Sequence, residues 1–177
     1  VERRYYACRI RRHASEFLVV WFMSDRDGFL RLPDGRLLTE VSWEALTTRM
    51  EAMGISLASE DPTDYDFDLI GIWCQRPTKE GITCSAFLNG WNFFDDLAGL
   101  HTAPTTDYAR LSRAASGCYD KLFWGNNLPS VTPPGQRFDP PWSYDELAAI
   151  RQVFEAGLNM VEKELSTSEH PLSGPGT

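Results

Sequence analysis

The chain has 177 residues, 42% of them hydrophobic and 24% charged, with a net charge of −8 at neutral pH. That length suffices for one domain with a substantial core, and the composition is that of an ordinary soluble globular protein. The acidic excess disfavours nucleic acid and anionic membrane as partners, and the longest early apolar run, Phe17 to Met23, falls far short of the roughly 20 residues that cross a bilayer.

Residues 3–12 alternate, with Tyr6, Cys8 and Ile10 on one face and arginines mostly on the other, which predicts a half-buried strand. Glu16 to Met23 is apolar on both faces, as in a central strand. Asp27-Gly28 and Pro33-Asp34-Gly35 have turn chemistry, so Phe29–Leu32 and Arg36–Val41 complete a predicted antiparallel meander of four strands. Ser42 is placed to cap a helix carrying Leu46, Met50 and Met53, stopped by Gly54, and Ile55–Ala58 is a candidate fifth strand. The acidic stretch Glu60–Asp68 leads into a short helix with Phe67, Ile70 and Trp73, closed by Pro77, although Ile70-Gly-Ile-Trp73 is also compatible with a strand.

The second half reads as helices. Ser85 to Leu97 has Phe87, Trp91 and Phe94 on one stripe and Asn89, Asn92, Asp95 and Asp96 on the other side. A helix capped within Thr105–Asp107 runs from Tyr108 through Leu122 to Gly125. Ser143-Tyr-Asp-Glu146 is a capping box, and Trp142 with Leu147 forms a hydrophobic staple. They open a long amphipathic helix through Leu165. The predicted class is therefore α+β: an N-terminal antiparallel sheet of four to five strands packed against three to five C-terminal helices. Residues 1–167 form one domain, with 1–58 mainly strands plus one helix and 64–167 mainly helices, and 168–177 form a flexible tail.

Between the last two helices, the stretch 125–142 holds five prolines yet also Leu128, Val131, Phe138 and Trp142. Proline excludes helix and central strand, and the apolar content predicts an ordered loop. Trp124, Asn126 and Asn127 stand at its start, either displayed as an anchor or clamping the helix end to the loop.

Chemistry has few footholds. The four cysteines form no C-x-x-C pair and read as buried thiols, and His13, His101 and His170 are scattered, so neither a metal nor another cofactor is expected. Asp95 and Asp96 near Asn92 are the candidate ligand or cation-binding face, with a solvated or cap-pairing face as the plainer reading. No nucleophile elbow, phosphate loop or dinucleotide fingerprint is present. Arg3, Arg4, Arg9, Arg11 and Arg12 crowd the first twelve positions beside Tyr5 and Tyr6. That pattern fits single-strand binding, a charged edge strand, or pairing with Glu60–Asp68. Without that segment, which also holds Glu2, 12 basic residues face 24 acidic ones. Asp61, Asp64 and Asp66 then become candidates for receiving a basic protein partner.

The meander with its two turns, Trp91-Asn-Phe-Phe-Asp-Asp-Leu97 and Tyr119-Asp-Lys-Leu-Phe-Trp-Gly-Asn-Asn-Leu-Pro129 give the chain an order of features similar to that of uncharacterised small bacterial α+β proteins. In size and acidity it resembles the immunity proteins that neutralise bacterial toxins. The resemblance implies a cytoplasmic, non-enzymatic protein that binds a basic toxin domain. It carries over no catalytic residue and leaves the oligomeric state open. The alternative is a metal- or small-molecule-dependent enzyme, or a ligand-binding protein, working through Asn92, Asp95 and Asp96. No export leader precedes the first strand, and the opening Val1 fits a trimmed chain or an alternative start codon equally.

Overall fold

The computed structural model describes residues 3–99 and 107–168, and among them lie five strands and six helices in an α+β arrangement, as the sequence predicts. Of the predicted tail 168–177, Ser168 ends the last helix and the rest lies outside the described residues, as do His101, His170 and the Thr105 cap. The chain falls into two compact units: unit 1 holds residues up to Asp64 together with the chain from Asn159 onward, and unit 2 runs from Tyr65 to Leu158.

Unit 1 is built on a long hairpin. Strands β1 (Arg4–Arg12) and β2 (Ser15–Met23) pair antiparallel over their whole length, from Arg4 opposite Met23 to Arg12 opposite Ser15. His13 and Ala14 take positive φ of 53° and 57°, the left-handed geometry of a two-residue turn that matches strand twist. Two short strands, β3 (Gly28–Phe29) and β4 (Thr39–Glu40), pair with β2 one after the other. The sequence predicts longer strands in succession here. Instead the chain folds back on itself about Gly35, at φ 87°, with Leu32 N–H bonded to the Arg36 carbonyl at 2.8 Å. Leu30 and Leu38 are thereby drawn into the core.

The edge strand is β5 (Thr63–Asp66), giving the order β3-β2-β1-β5 in a mixed sheet. The candidate strand at Ile55–Ala58 amounts to a parallel bridge between Tyr5 and Leu57, plus Ala58 N–H on the Tyr5 carbonyl. An aspartate-rich segment is a poor strand former, but Arg9 meets Asp64 at 2.9 Å and offsets that weakness.

Helix α1 (Trp43–Ala52) is capped by Ser42 Oγ, which accepts from Ala45 N–H. Its Leu46 and Met50 pack with Ala7, Leu18, Val20, Leu30 and Leu38 against one face of the hairpin. The last turns of the final helix also belong to unit 1. There Glu162 accepts from Arg12 at 2.6 Å, and buried Glu164 takes both Arg31 terminal nitrogens at 3.1 and 2.9 Å.

Unit 2 is helical: α2 (Phe67–Gln75), α3 (Cys84–Gly99), α4 (Asp107–Ala114), α5 (Ser116–Gly125) and the first part of α6 (Tyr144–Ser168). The single helix expected from Tyr108 to Gly125 breaks at Ala115, whose φ of −100° and ψ of 18° leave the helical basin. Ser116 and Gly117 follow; serine is a weaker helix former than the alanines before it, and glycine is weaker than any of its neighbours. The capping box forms as predicted: Glu146 N–H donates to Ser143 Oγ, and Ser143 N–H donates to the Glu146 carboxylate. Trp142 and Leu147 are both buried.

The core of unit 2 is a lattice of rings. Phe94 stacks on Phe67 at 5.1 Å, and Phe154 meets Phe87, Trp91 and Phe94 edge-on or tilted at 4.9–5.8 Å. Such offset pairs add stabilisation beyond area burial. Much of the chain's aromatic content is thus packed inside this unit. Gly157 lets α6 approach α3, because a Cβ there would fall within the Phe94 ring. Gly157→Ala should therefore destabilise the protein by about 1–3 kcal/mol through overpacking. Gly117→Ala, where a Cβ meets nothing within 4 Å, should be neutral or stabilising by about 0.4–1 kcal/mol. Urea unfolding of the two variants distinguishes them, and equal midpoints would contradict the close approach.

Candidate functional site

One face of the hairpin carries Tyr5, Ala7, Arg9 and Arg11 from β1 and their partners Phe22, Val20, Leu18 and Glu16 from β2. The α1 cluster covers this face from Tyr5 to Ala7 and ends at Leu18. Beyond Leu18 the face opens into a cleft of about 520 Å³, lined by Arg9, Glu16, Leu18, Val41–Trp43 and Ala58–Pro62. Every lining residue belongs to unit 1. That volume lies within the range of small-ligand and side-chain pockets.

The charges in the cleft are unequal. Arg9, its one cation, is committed to Asp64, and Glu16 is held by Arg11 at 2.9 Å. Glu60 and Asp61 make no ion pair or hydrogen bond with any described residue. They are the uncompensated charge of the site. Apolar surface stands on its wall: Val41 is 78% and Trp43 46% exposed. Among the described residues the Trp43 indole has no ring contact and no hydrogen bond. The cleft therefore offers two free carboxylates, an unpartnered indole and an aliphatic side chain.

Of the residues singled out from sequence, Asp61 lies in this cleft and Asp64 serves it by occupying Arg9. Asp66 does structural work as the cap of α2, accepting from Leu69 N–H at 3.0 Å. Arg9 and Arg11 are paired with carboxylates, and the Tyr5 ring packs on Phe22, so these three form no open basic strip.

In unit 2, Trp124 is 50% exposed with its ring edge-on to Phe123, while Asn126 closes α5. Asn127, at φ 50°, spends its amide on the Gly125 and Phe138 carbonyls and accepts from Phe138 N–H. That makes Asn127 the pin of the proline-rich loop. Lys121 assists by bonding the Pro141 carbonyl and the Glu146 carboxylate.

The α3 polar face is occupied as well. Asn92 accepts from Tyr119 Oη at 2.8 Å; Asp95 accepts from Tyr108 Oη at 2.7 Å and Ser112 Oγ at 3.3 Å. Ser112 in turn accepts from the Trp91 indole at 2.9 Å. The chain thus ties α3 to α4 and α5 through polar groups. Asp96 also has a partner among the described residues. Burial raises the Asp95 pKa despite the two hydrogen bonds that oppose the shift, and burial with the neighbouring Asp95 charge raises that of Tyr108. Among the described residues no group of three or more His, Cys, Asp or Glu side chains is placed to hold a metal ion. All four cysteines are free thiols, three of them buried. No helix of the described residues is long and apolar enough to cross a membrane.

Sequence reasoning passed over Trp43 and Val41. Trp43 continues the helical spacing of Leu46 and Met50 and so looks like core; its exposure follows from the sheet cluster ending before it.

No protein-family model and no curated protein sequence matches the chain. Among solved structures, the C-terminal domain of SatS in complex with bromine is similar, with a TM-score of 0.56 and 14% identity over 90% of this chain and 91% of that one. At that identity the likeness is one of fold alone.

The Asp95 network makes a pH prediction. Desolvation lifts its folded-state pKa above the ordinary 3.8, so the native state holds that proton more readily than the unfolded chain. The resulting stability is present at acid pH and is lost as pH rises through the lifted value. Asp95→Asn stays neutral and keeps an acceptor for Tyr108. Its urea midpoint relative to the parent should therefore rise between about pH 3 and about pH 7, by a modest amount because Asp95 is partly exposed. A difference that is flat, or that falls with pH, would contradict the assignment.

Proposed function

We propose that the protein is a non-catalytic binding module that engages a basic protein partner, the role of toxin-neutralising immunity proteins. The observation that carries this reading is the unit 1 cleft, where Glu60 and Asp61 stand uncompensated beside the exposed Trp43 and Val41. Free carboxylates favour cationic groups and speed their approach, while an exposed indole supplies desolvated contact area. The net charge of −8 extends the same preference over the wider surface. The rival site on α3 has less to offer a ligand, since Asn92 and Asp95 already accept hydrogen bonds from Tyr119, Tyr108 and Ser112. A cytoplasmic setting accords with this role, since there the partner would be met before it acts.

Selection from a displayed random-peptide library tests the proposal. Peptides retained by the parent protein should be enriched in arginine and lysine, and Glu60→Lys/Asp61→Lys should release them. Recovery of peptides with no basic bias, or retention by the charge-reversed variant, would remove the basis of the reading.

A further inference from the structure

The cleft is specific enough to say what part of a basic partner it receives, an inference that rests on the function just proposed. We infer that it is a receptor for a single arginine side chain on an extended segment of the partner protein, with an apolar neighbour of that arginine lying over Val41. Two free carboxylates, adjacent in sequence, are the only uncompensated charges among the lining residues. One guanidinium can answer both, since its five donors lie in a plane and a bidentate bond to one carboxylate leaves further N–H groups for the other. A second basic side chain entering the cleft would find its other charges taken, because Glu16 and Asp64 already hold Arg11 and Arg9.

The Trp43 indole supplies the second half of the recognition. A guanidinium stacks on an aromatic face with cation–π and planar contact, whereas an ammonium group is a point charge that stays more strongly hydrated. Arginine is therefore preferred over lysine. An extended segment, rather than a helix, suits an open cleft between the end of the sheet face and the irregular stretch Ala58–Pro62, where side chains enter one at a time. Val41 is 78% exposed on the cleft wall, so a hydrophobic residue beside the arginine would cover apolar surface that the fold leaves open to water.

The test uses a library-selected peptide and the full chain, with affinity read by fluorescence anisotropy of the labelled peptide. Each basic position is replaced in turn by citrulline, which keeps the shape of arginine without its charge. One position should dominate, losing about tenfold or more, and its replacement by lysine should weaken binding severalfold. Trp43→Ala should cost about tenfold, Trp43→Phe less, and Glu60→Gln/Asp61→Gln should abolish the preference for the charged peptide. Trp124→Ala should leave affinity unchanged, and thermal melts should show every variant folded. Losses spread evenly over the basic positions, with Trp43→Ala binding like the parent, would overturn the single-arginine receptor and leave the basic-partner reading standing. Binding insensitive to Glu60 and Asp61, or no peptide recovered at all, would overturn both. Displacement of the peptide by free spermidine at equal concentration would overturn a protein segment as the occupant.

Discussion

A short helix laid on a long hairpin is the constraint behind the candidate site. β1 and β2 pair over nine residues each, a length of about 30 Å at strand rise. Helix α1 has ten residues and reaches only about 15 Å. Whatever its direction over the sheet, it leaves part of that face uncovered. The uncovered part lies beyond Leu18 and runs through Arg9, Arg11 and Glu16, where the sequence turns from apolar to charged. Charge there is consistent with water access, and pairing Arg9 with Asp64 and Arg11 with Glu16 satisfies most of it. Glu60, Asp61, Val41 and Trp43 remain as groups with exposed chemistry and no internal partner.

The contrast with unit 2 shows why an internal partner matters in judging a polar cluster. Asn92, Asp95, Tyr108, Ser112 and Tyr119 include the kinds of group found in catalytic sites, yet each hydrogen bond runs to another helix of the same unit. Their role is to join α4 and α5 to α3 around a ring-filled core. Asn127 is similar: both ends of its amide are used to hold Phe138 and Gly125. A polar group whose hydrogen bonds run to its own unit helps to specify that unit's structure. An exposed charged group with no partner is available for a second molecule.

Much of the fold is legible in the sequence because its signals are local. The alternation in residues 3–12, the turns at Asp27-Gly28 and Pro33–Gly35, the Ser42 cap and the Ser143–Glu146 capping box each depend on residues a few positions apart. What escaped was set by distant contacts. The acidic Thr63–Asp66 strand exists beside β1, with Arg9 paired to Asp64; the break at Ala115 interrupts a helical pattern that periodicity alone would continue. The candidate site was half legible. Asp61 was marked by its acidic neighbourhood, but Trp43 sits on the buried stripe of its helix by spacing, and only the extent of the sheet cluster shows that it overhangs.

The central claim is that the uncovered end of the hairpin face is where a cationic partner binds. Amide chemical-shift mapping, with an arginine-bearing selected peptide added to isotopically labelled full chain, tests it most directly. The account predicts changes concentrated at Leu18, Val41–Trp43 and Ala58–Asp61. Changes centred instead on Trp124 and Phe138, or on Asn92 and Asp95, would contradict it.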